Sequence, residues 1–326
     1  DNFNFKNTQV FVSTHSTQIS SVSKISSMNI LSRQNGFTDV YHPSFGLTPK
    51  EISSVERYLD AIRSDLLFAK SVILVEGDAE LILIPAMVKE TLGISLDELG
   101  ISLIKVDGTV FKHISNLFHE KRLKRKCAIL TDLDSAYVKV ADNIFDADFV
   151  ESLVDAEDDG LRRKEELDKY IEGNEFITVH YAENTFETEL VRYDENNNLF
   201  IEVMKTEYKK EAYFKKAESD VNSSDLRVRY KRVLKFAKKI GKGWLATEMV
   251  EHLSVDNRVP DYILQAIQFV LRDRNVEPIY QKMLDYNMSL MGVKAFDCIN
   301  AEKDFSSKMI EYKKHFNDSF VRLLEL

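Results

Sequence analysis

A chain of 326 residues, 44% of them hydrophobic, has material for two domains or one large one with a sizeable core. No apolar run approaches a membrane span, the start is not a signal peptide, and Cys127 and Cys298 have neither metal nor disulfide spacing, so a cytoplasmic protein without a membrane partner is expected. The formal charge of −9 excludes nucleic-acid binding through overall charge and leaves only local basic patches and bound cations for such contact.

Residues 8–13 (TQVFVS) read as a strand, followed by Thr14-His15-Ser16 and a short helical stretch from Thr17. One strand and one helix cannot form a core, so the chain reads as beginning in mid-domain. A strand ending in T-H-S resembles the switch-histidine segment near the end of ATP-binding-cassette ATPases, which implies that His15 approaches the γ-phosphate of ATP. No G-x-x-x-x-G-K-[ST] loop occurs, and Gly241-Lys242-Gly243 lacks its leading glycine and hydroxyl, so this chain alone is not expected to hydrolyse ATP. Residues 28–41 suggest a small hairpin turning at Asn35-Gly36. Pro43 and Pro49 mark a connector, and Ile52, Val55, Leu59, Ile62 and Leu66 then trace an amphipathic helix over 51–69.

The stretch around which the chain is organised is 71–90, SVILVEGDAELILIPAMVKE. Its apolar start has the length and β-branching of a buried strand and stops at Glu76-Gly77-Asp78. A helix follows, with Asp78 as the expected N-cap and Glu80 in its first turn, where a carboxylate suits the helix dipole. Glu76 falls at the carboxyl end of a parallel strand, the usual place for ligands in an open α/β sheet. Pro85 is expected to kink or break the helix, at about 3 kcal/mol. The next strand, 101–106, ends at Asp107, read as orienting a turn, and His113 is read as a helix-face residue. Residues 120–126 (EKRLKRK) place a run of cations that is either solvated or available to steer phosphate. Then 126–134 (KCAILTDLD) forms a second buried-strand pattern ending in Asp132 and Asp134, acids spaced to share a hard cation.

A strand ending V-E-G-x-x-E followed by a strand ending D-x-D resembles the Toprim domain of topoisomerases, primases and certain nucleases. The intervening 96–111 (LDELGISLIKVDGTVF) is similar to the overcoming-lysogenisation-defect (OLD) family of ATPase-Toprim nucleases, the group that includes the nuclease subunit of Gabija antiviral defence. In that family an ATPase precedes the Toprim domain, which agrees with the T-H-S segment.

Beyond an acidic stretch at 142–159 with no assigned chemistry, residues 175–181 read as a strand and 182–191 (AENTFETELV) as a turn into a helix. The latter resembles a family segment carrying a further metal-ligating acid, which implies Glu187, with Glu183 and Glu189 as nearby alternatives. Residues 205–242 are markedly basic and read as two helices hinged near 222–224, the best surface for following a phosphate backbone. Residues 240–248 (IGKGWLATE) resemble the family's lysine-containing turn, which implies that Lys242 stabilises charge on phosphorus in the transition state. Pro260 opens another helix, and 275–326 reads as two helices without chemistry.

The expected fold is α/β, a Toprim-like parallel sheet flanked by helices. The expected organisation is an ATPase remnant at 1–48, a linker helix at 49–70, a Toprim domain at 71–275 with a helical insert at about 195–240, and a helical extension at 276–326. The resemblance implies a metal-dependent DNA endonuclease coupled to an ATPase, with Mg²⁺ or Mn²⁺, as a metal pair, held by Glu76, Glu80, Asp132, Asp134 and Glu187. Expected partners are DNA, further copies of the chain and a helicase-like defence protein. The alternatives are a degenerate Toprim scaffold or another Toprim enzyme, although neither a nucleophilic-tyrosine module nor a zinc module is visible.

Overall fold

A computed structural model describes residues 9–34, 36–59, 63–106, 111–138, 147–290 and 304–326. Asp107, Asn35 and Cys298 lie outside the described residues.

The first segments form a layer of their own. After α1 (Thr17–Val22), strands β1 (Ile30–Gln34) and β2 (Phe37–Tyr41) pair antiparallel, as the hairpin signal predicts. No strand forms over 9–13. Val10, Phe11 and Val12 are exposed there, since β1 and β2 pair only with each other and leave this segment no ladder. Helix α2 (Pro49–Tyr58) is shorter than the apolar repeat suggests. A capping box between Thr48 and Glu51 fixes its start, and a 3₁₀ turn at Arg63–Leu67 follows in place of continuous helix.

The central sheet contains β3 (Ser71–Val75), β4 (Ile101–Lys105), β5 (Cys127–Asp132) and β6 (Ile177–Ala182), all parallel in the order β4-β3-β5-β6. Strand alternation sorts its side chains into two cores. Ile73, Val75, Ala128 and Leu130 point to one side and pack on α3 (Asp78–Leu92). Val72, Leu74, Cys127 and Ile129 point to the other, against α2, α4 (Phe111–Ser115) and Leu167 of α5 (Ala147–Ile171).

Helix α3 runs unbroken across Pro85. Leu83, Ile84, Met87 and Val88 are fully or almost fully buried around the proline. At roughly 1.5–3 kcal/mol per buried aliphatic side chain, they outweigh the ~3 kcal/mol of a missing hydrogen bond and a ring clash. Its N-cap is Gly77 and not Asp78, whose carboxylate instead pairs with Lys105 at 2.8 Å.

Among the described residues after β6 the α-helices are α6 (Phe186–Val191), α7 (Asn197–Glu207), α8 (Glu211–Val221), α9 (Leu226–Ile240), α10 (Lys242–Val250), α11 (Asp261–Leu271), α12 (Glu277–Leu290), α13 (Phe305–His315) and α14 (Ser319–Glu325). α10 packs along α3, and α11 lies across β5 and β6. Together these helices bury the first face of the sheet.

Candidate functional site

Three chain segments meet at the carboxyl ends of β3 and β5. Glu76 follows β3 directly. The β3–β5 register pairs Leu74 with Ile129; carried on two residues, it sets Glu76 beside Thr131, whose hydroxyl donates to Glu76 Oε1 at 2.5 Å. A Cβ at Gly77 would lie 2.5 Å from Glu80 Oε2, so the glycine allows the Glu80 carboxyl to fold back over the start of its own helix.

The second segment is α6. Glu187 is only 3% exposed; its Oε2 accepts from the Thr185 hydroxyl at 2.9 Å and pairs with Lys242 Nζ at 3.0 Å. Its Oε1 is buried and has no hydrogen-bond partner. The alternatives stand apart, because Glu183 pairs with Arg192 at 2.8 Å and Glu189 accepts from the Glu183 amide. Lys242 arrives on the first residue of α10, whose start approaches that of α3 closely enough for a Cβ at Gly243 to touch Asp78. Two helix N-termini, with their partial positive charge, thus face the same crevice.

The third segment is the D-x-D turn. Asp134 adopts a left-handed backbone (φ 52°), unusual for a residue other than glycine. Amides of Leu133, Asp134 and Ser135 donate to the carbonyls of Ala182, Asn184 and Glu183, which extends the β5–β6 pairing past the strand ends. Arg163 of α5 clamps the turn, with Nη2 on the Asp132 carbonyl and on Asp134 Oδ2 at 3.1 Å. A Cβ at Gly160, one turn earlier, would lie 1.8 Å from the Leu133 carbonyl, so only glycine admits α5 this close.

The electrostatics follow from this crowding. Burial first, then the Glu187 and Glu76 carboxylates, push the Glu80 carboxyl up to about 7, against its own amide and Lys242. Asp132 is driven well above the usual carboxylate range by burial, with Glu80, Glu187 and Asp134 adding to it and Lys242 opposing. Burial pulls the Lys242 ammonium down, yet Glu187, Asp132 and Glu80 more than offset that and hold it above its ordinary value. Among the described residues, no three His, Cys, Asp or Glu side chains form a ready-made metal cage. Thr131, Lys242 and Arg163 hold Glu76, Glu187 and Asp134 separately.

The five acids and Lys242 expected from the sequence therefore come to one crevice, whereas His15 does not. It is exposed on the N-terminal layer, 6.1 Å from the Phe68 ring. Arg163 was not anticipated. The signal for it is Gly160, a glycine inside an acidic helical stretch, which marks close backbone approach.

Two readings of basic runs change. Three of the five cations of 120–126 are structural: Arg125 donates to the Leu67 and Ala69 carbonyls, Arg122 to Phe45, and Lys126 to Glu175 while lying over Phe176, whereas Lys121 and Lys124 are exposed. They precede β5 and so lie at the opposite end of the sheet from the crevice. Within 205–242, Arg229 is buried against Asp194, and Arg232 pairs with Asp220. That leaves Lys235, Lys238 and Lys239, at the end of α9, as the cations leading into Lys242.

Residues 67–134 match the family model "Overcoming lysogenization defect protein-like, TOPRIM domain". The chain is similar to the C-terminal region of the Burkholderia pseudomallei OLD protein, with 28% identity and a TM-score of 0.46 over 63% of this chain and 98% of that one. It is also similar to the C-terminal region of the Xanthomonas campestris pv. campestris OLD protein, at 25% identity and a TM-score of 0.40 over 69% and 99%. A comparison with curated proteins finds no match. No helix among the described residues is long and apolar enough to cross a membrane.

Proposed function

On the footing that 67–134 is a Toprim domain of the overcoming-lysogenization-defect type, we propose that the chain is a metal-dependent DNA endonuclease. The observation that carries this reading is the convergence of Glu76, Glu80, Asp132, Asp134 and Glu187 on one crevice with Lys242. Surplus carboxylate charge and the unpartnered Glu187 Oε1 suit a hard cation, which prefers oxygen ligands. Mg²⁺ or Mn²⁺, singly or as a pair, would be held by those acids and would supply charge stabilisation at a phosphodiester and a water of lowered pKa.

The chain's own residues prepare the rest. Thr131 fixes the rotamer of Glu76, and Arg163 fixes the turn that carries Asp132 and Asp134. Burial shifts the Glu80 and Asp132 carboxyls toward their neutral forms, and cation binding would draw them back to the charged ones. Lys242, which is half-exposed, has its ammonium at the rim, positioned for the negative charge that grows on a phosphate.

We extend the reading to cytoplasmic antiviral defence and coupling to an ATPase domain, with further copies of the chain and a helicase-like protein as partners. The T-H-S segment with His15 and the exposed apolar side chains of Phe11, Leu31 and Phe37 support a contact on the N-terminal layer. The test is nicking of supercoiled plasmid across a Mn²⁺ titration, with circular dichroism as the fold control. Glu76→Gln and Asp134→Asn are each expected to abolish nicking with an unchanged spectrum. Wild-type cleavage by Glu76→Gln at every metal concentration would make the crevice structural and end the nuclease reading.

A further inference from the structure

A groove of about 390 Å³ opens where α9 meets α8 and the turn after α7. Its walls carry Tyr208, Tyr213, Arg232, Lys235, Lys238 and Lys239. That size lies at the low end of ligand pockets, ~300–1,000 Å³, and this one is lined by ring faces and cations together. Lys239 Nζ sits 5.0 Å above the Tyr208 ring, and Lys210 Nζ sits 5.5 Å above Tyr213. Tyr208 also packs on Phe236, with ring centres 5.7 Å apart, so its ring is held from behind by the core. Tyr213 is 60% exposed, so its ring is open to an incoming partner.

The charges are divided. Asp220 takes Arg232 and Lys216. Lys235, Lys238 and Lys239 have no ion pair among the described residues. A chain of net charge −9 thus keeps three unneutralised ammonium groups beside two tyrosines. Three unpaired lysines alone would suit any polyanion. The ring faces select an anion that also offers a flat aromatic surface, which an acidic peptide of Asp and Glu lacks.

We infer that this groove holds an unstacked nucleotide of a DNA strand, with its base against the exposed ring of Tyr213 and its flanking phosphates on Lys235, Lys238 and Lys239. The inference rests on the nuclease reading and adds where, and in what form, the strand is gripped. Position supports it, because α9 passes through Gly241 directly into Lys242 at the crevice. Lys235, Lys238 and Lys239 fall in the last two turns of α9, three to seven residues before Lys242. An unstacked strand is more extended than the ~3.4 Å per nucleotide of duplex DNA, so the base gripped there belongs to a nucleotide close to the one at the crevice. Duplex DNA keeps its bases stacked and cannot present one to a ring, whereas a single strand or a frayed end can.

The experiment uses the full chain in EDTA and measures fluorescence anisotropy with three labelled probes of equal length: oligothymidylate, an abasic phosphodeoxyribose oligomer and a duplex. Tyr213→Ala is expected to weaken oligothymidylate binding by roughly 5- to 100-fold, the range for losing one stacked base, and to leave the abasic oligomer unmoved. Tyr213→Phe is expected to bind as wild type does. Lys238→Ala with Lys239→Ala is expected to weaken the single-stranded probes together. Equal affinity of Tyr213→Ala and wild type for oligothymidylate, with the duplex still bound, would overturn the nucleotide grip and leave the nuclease reading standing. Failure of wild type to bind any of the three probes at low salt would overturn both. Two competitors separate other occupants. ATP binding that depends on Tyr213 while oligothymidylate binding does not would assign the groove to a free nucleotide, and polyglutamate competing as well as oligothymidylate would make it a general polyanion surface; either result overturns the inference.

Discussion

Replacing Glu80 by Gln in metal-free protein should stabilise the fold at alkaline pH and leave it unchanged at acid pH. The cause is burial of the Glu80 carboxyl beside Glu187 and Glu76, which raises it from 4.5 to about 7. Between those values the native state holds a proton that the unfolded chain has lost, so wild-type stability falls as pH rises through the window and stays low above it. The displacement corresponds to about 3 kcal/mol at ~1.36 kcal/mol per pH unit, and partial solvent access to the crevice reduces the expected effect to on the order of 2 kcal/mol. Glutamine keeps the shape without ionising, so its curve lacks that slope. The assay is urea unfolding in EDTA from pH 5 to pH 8. Trp244 is the only tryptophan, is 55% exposed and lies two residues past Lys242, so its emission serves as probe beside circular dichroism. The two proteins should coincide near pH 5 and separate progressively, with the Gln variant the more stable at pH 8. Saturating Mn²⁺ should then reverse the order, since ligand at about 100 times its Kd adds about 2.7 kcal/mol to a protein that binds it. Parallel curves from pH 5 to pH 8, or a less stable Gln variant at pH 8, would refute the electrostatic account of the crevice.

Lys242→Ala should lower the plasmid nicking rate by about 10²–10³-fold, the usual loss for one transition-state donor, with the Mn²⁺ midpoint unmoved or lowered, because the ammonium competes for Glu187. Full rescue of that variant by excess Mn²⁺ would make Lys242 a metal-site organiser only. The chain alone should show no ATP hydrolysis above background in a phosphate-release assay, since its sequence has no phosphate-cradling glycine loop; sustained turnover by preparations free of contaminating ATPase would overturn this.

The sheet was legible because its two central strands, β3 and β5, are short continuous apolar runs that end abruptly in acids, the pattern of strands buried on both faces. That pattern placed Glu76, Asp132 and Asp134 at one edge before any coordinates. Glu187 and Lys242 came only through resemblance, because each reaches the crevice by helix packing of distant segments, which no local periodicity encodes. The misreadings share one physical origin, tertiary contacts overriding local signals. Pro85 is tolerated because the helix around it is buried on both sides. Asp78 gives up the cap to Gly77, since Lys105 of the neighbouring strand takes its carboxylate. Residues 120–126 look like a phosphate-steering run until three of their five cations are seen bound to backbone carbonyls. Arg163 stayed hidden because a basic residue in a charge-rich helix carries no local mark, and only the clash that a Cβ would make at Gly160 explains why that helix lies against the D-x-D turn.

The arrangement of charge also says why the lysine stands where it does. Five carboxylates in one crevice would repel one another and empty the site of structure unless countercharge or protons held them. The fold supplies both. Lys242, Arg163 and two helix N-termini bring positive charge, and burial shifts the Glu80 and Asp132 carboxyls toward their neutral forms. Each of these devices is reversible in a way that an apolar filling would not be. A cation would draw Glu80 and Asp132 toward their charged forms, and an ammonium on a half-exposed side chain would be free to turn from Glu187 toward a phosphate. Arg163 differs, because besides pairing with the Asp134 carboxylate it donates to the Asp132 backbone carbonyl, so it also holds the shape of the turn. The crevice is therefore built from one rigid side, the turn held by Arg163 and Gly160 of α5, and one exchangeable side, where Lys242 and Glu80 stand. Substitutions of Arg163 or Gly160 should act on the fold, and substitutions of Lys242, Glu80 or the other acids on the response to pH and metal, and that division would separate a nuclease centre from a merely packed acidic cluster.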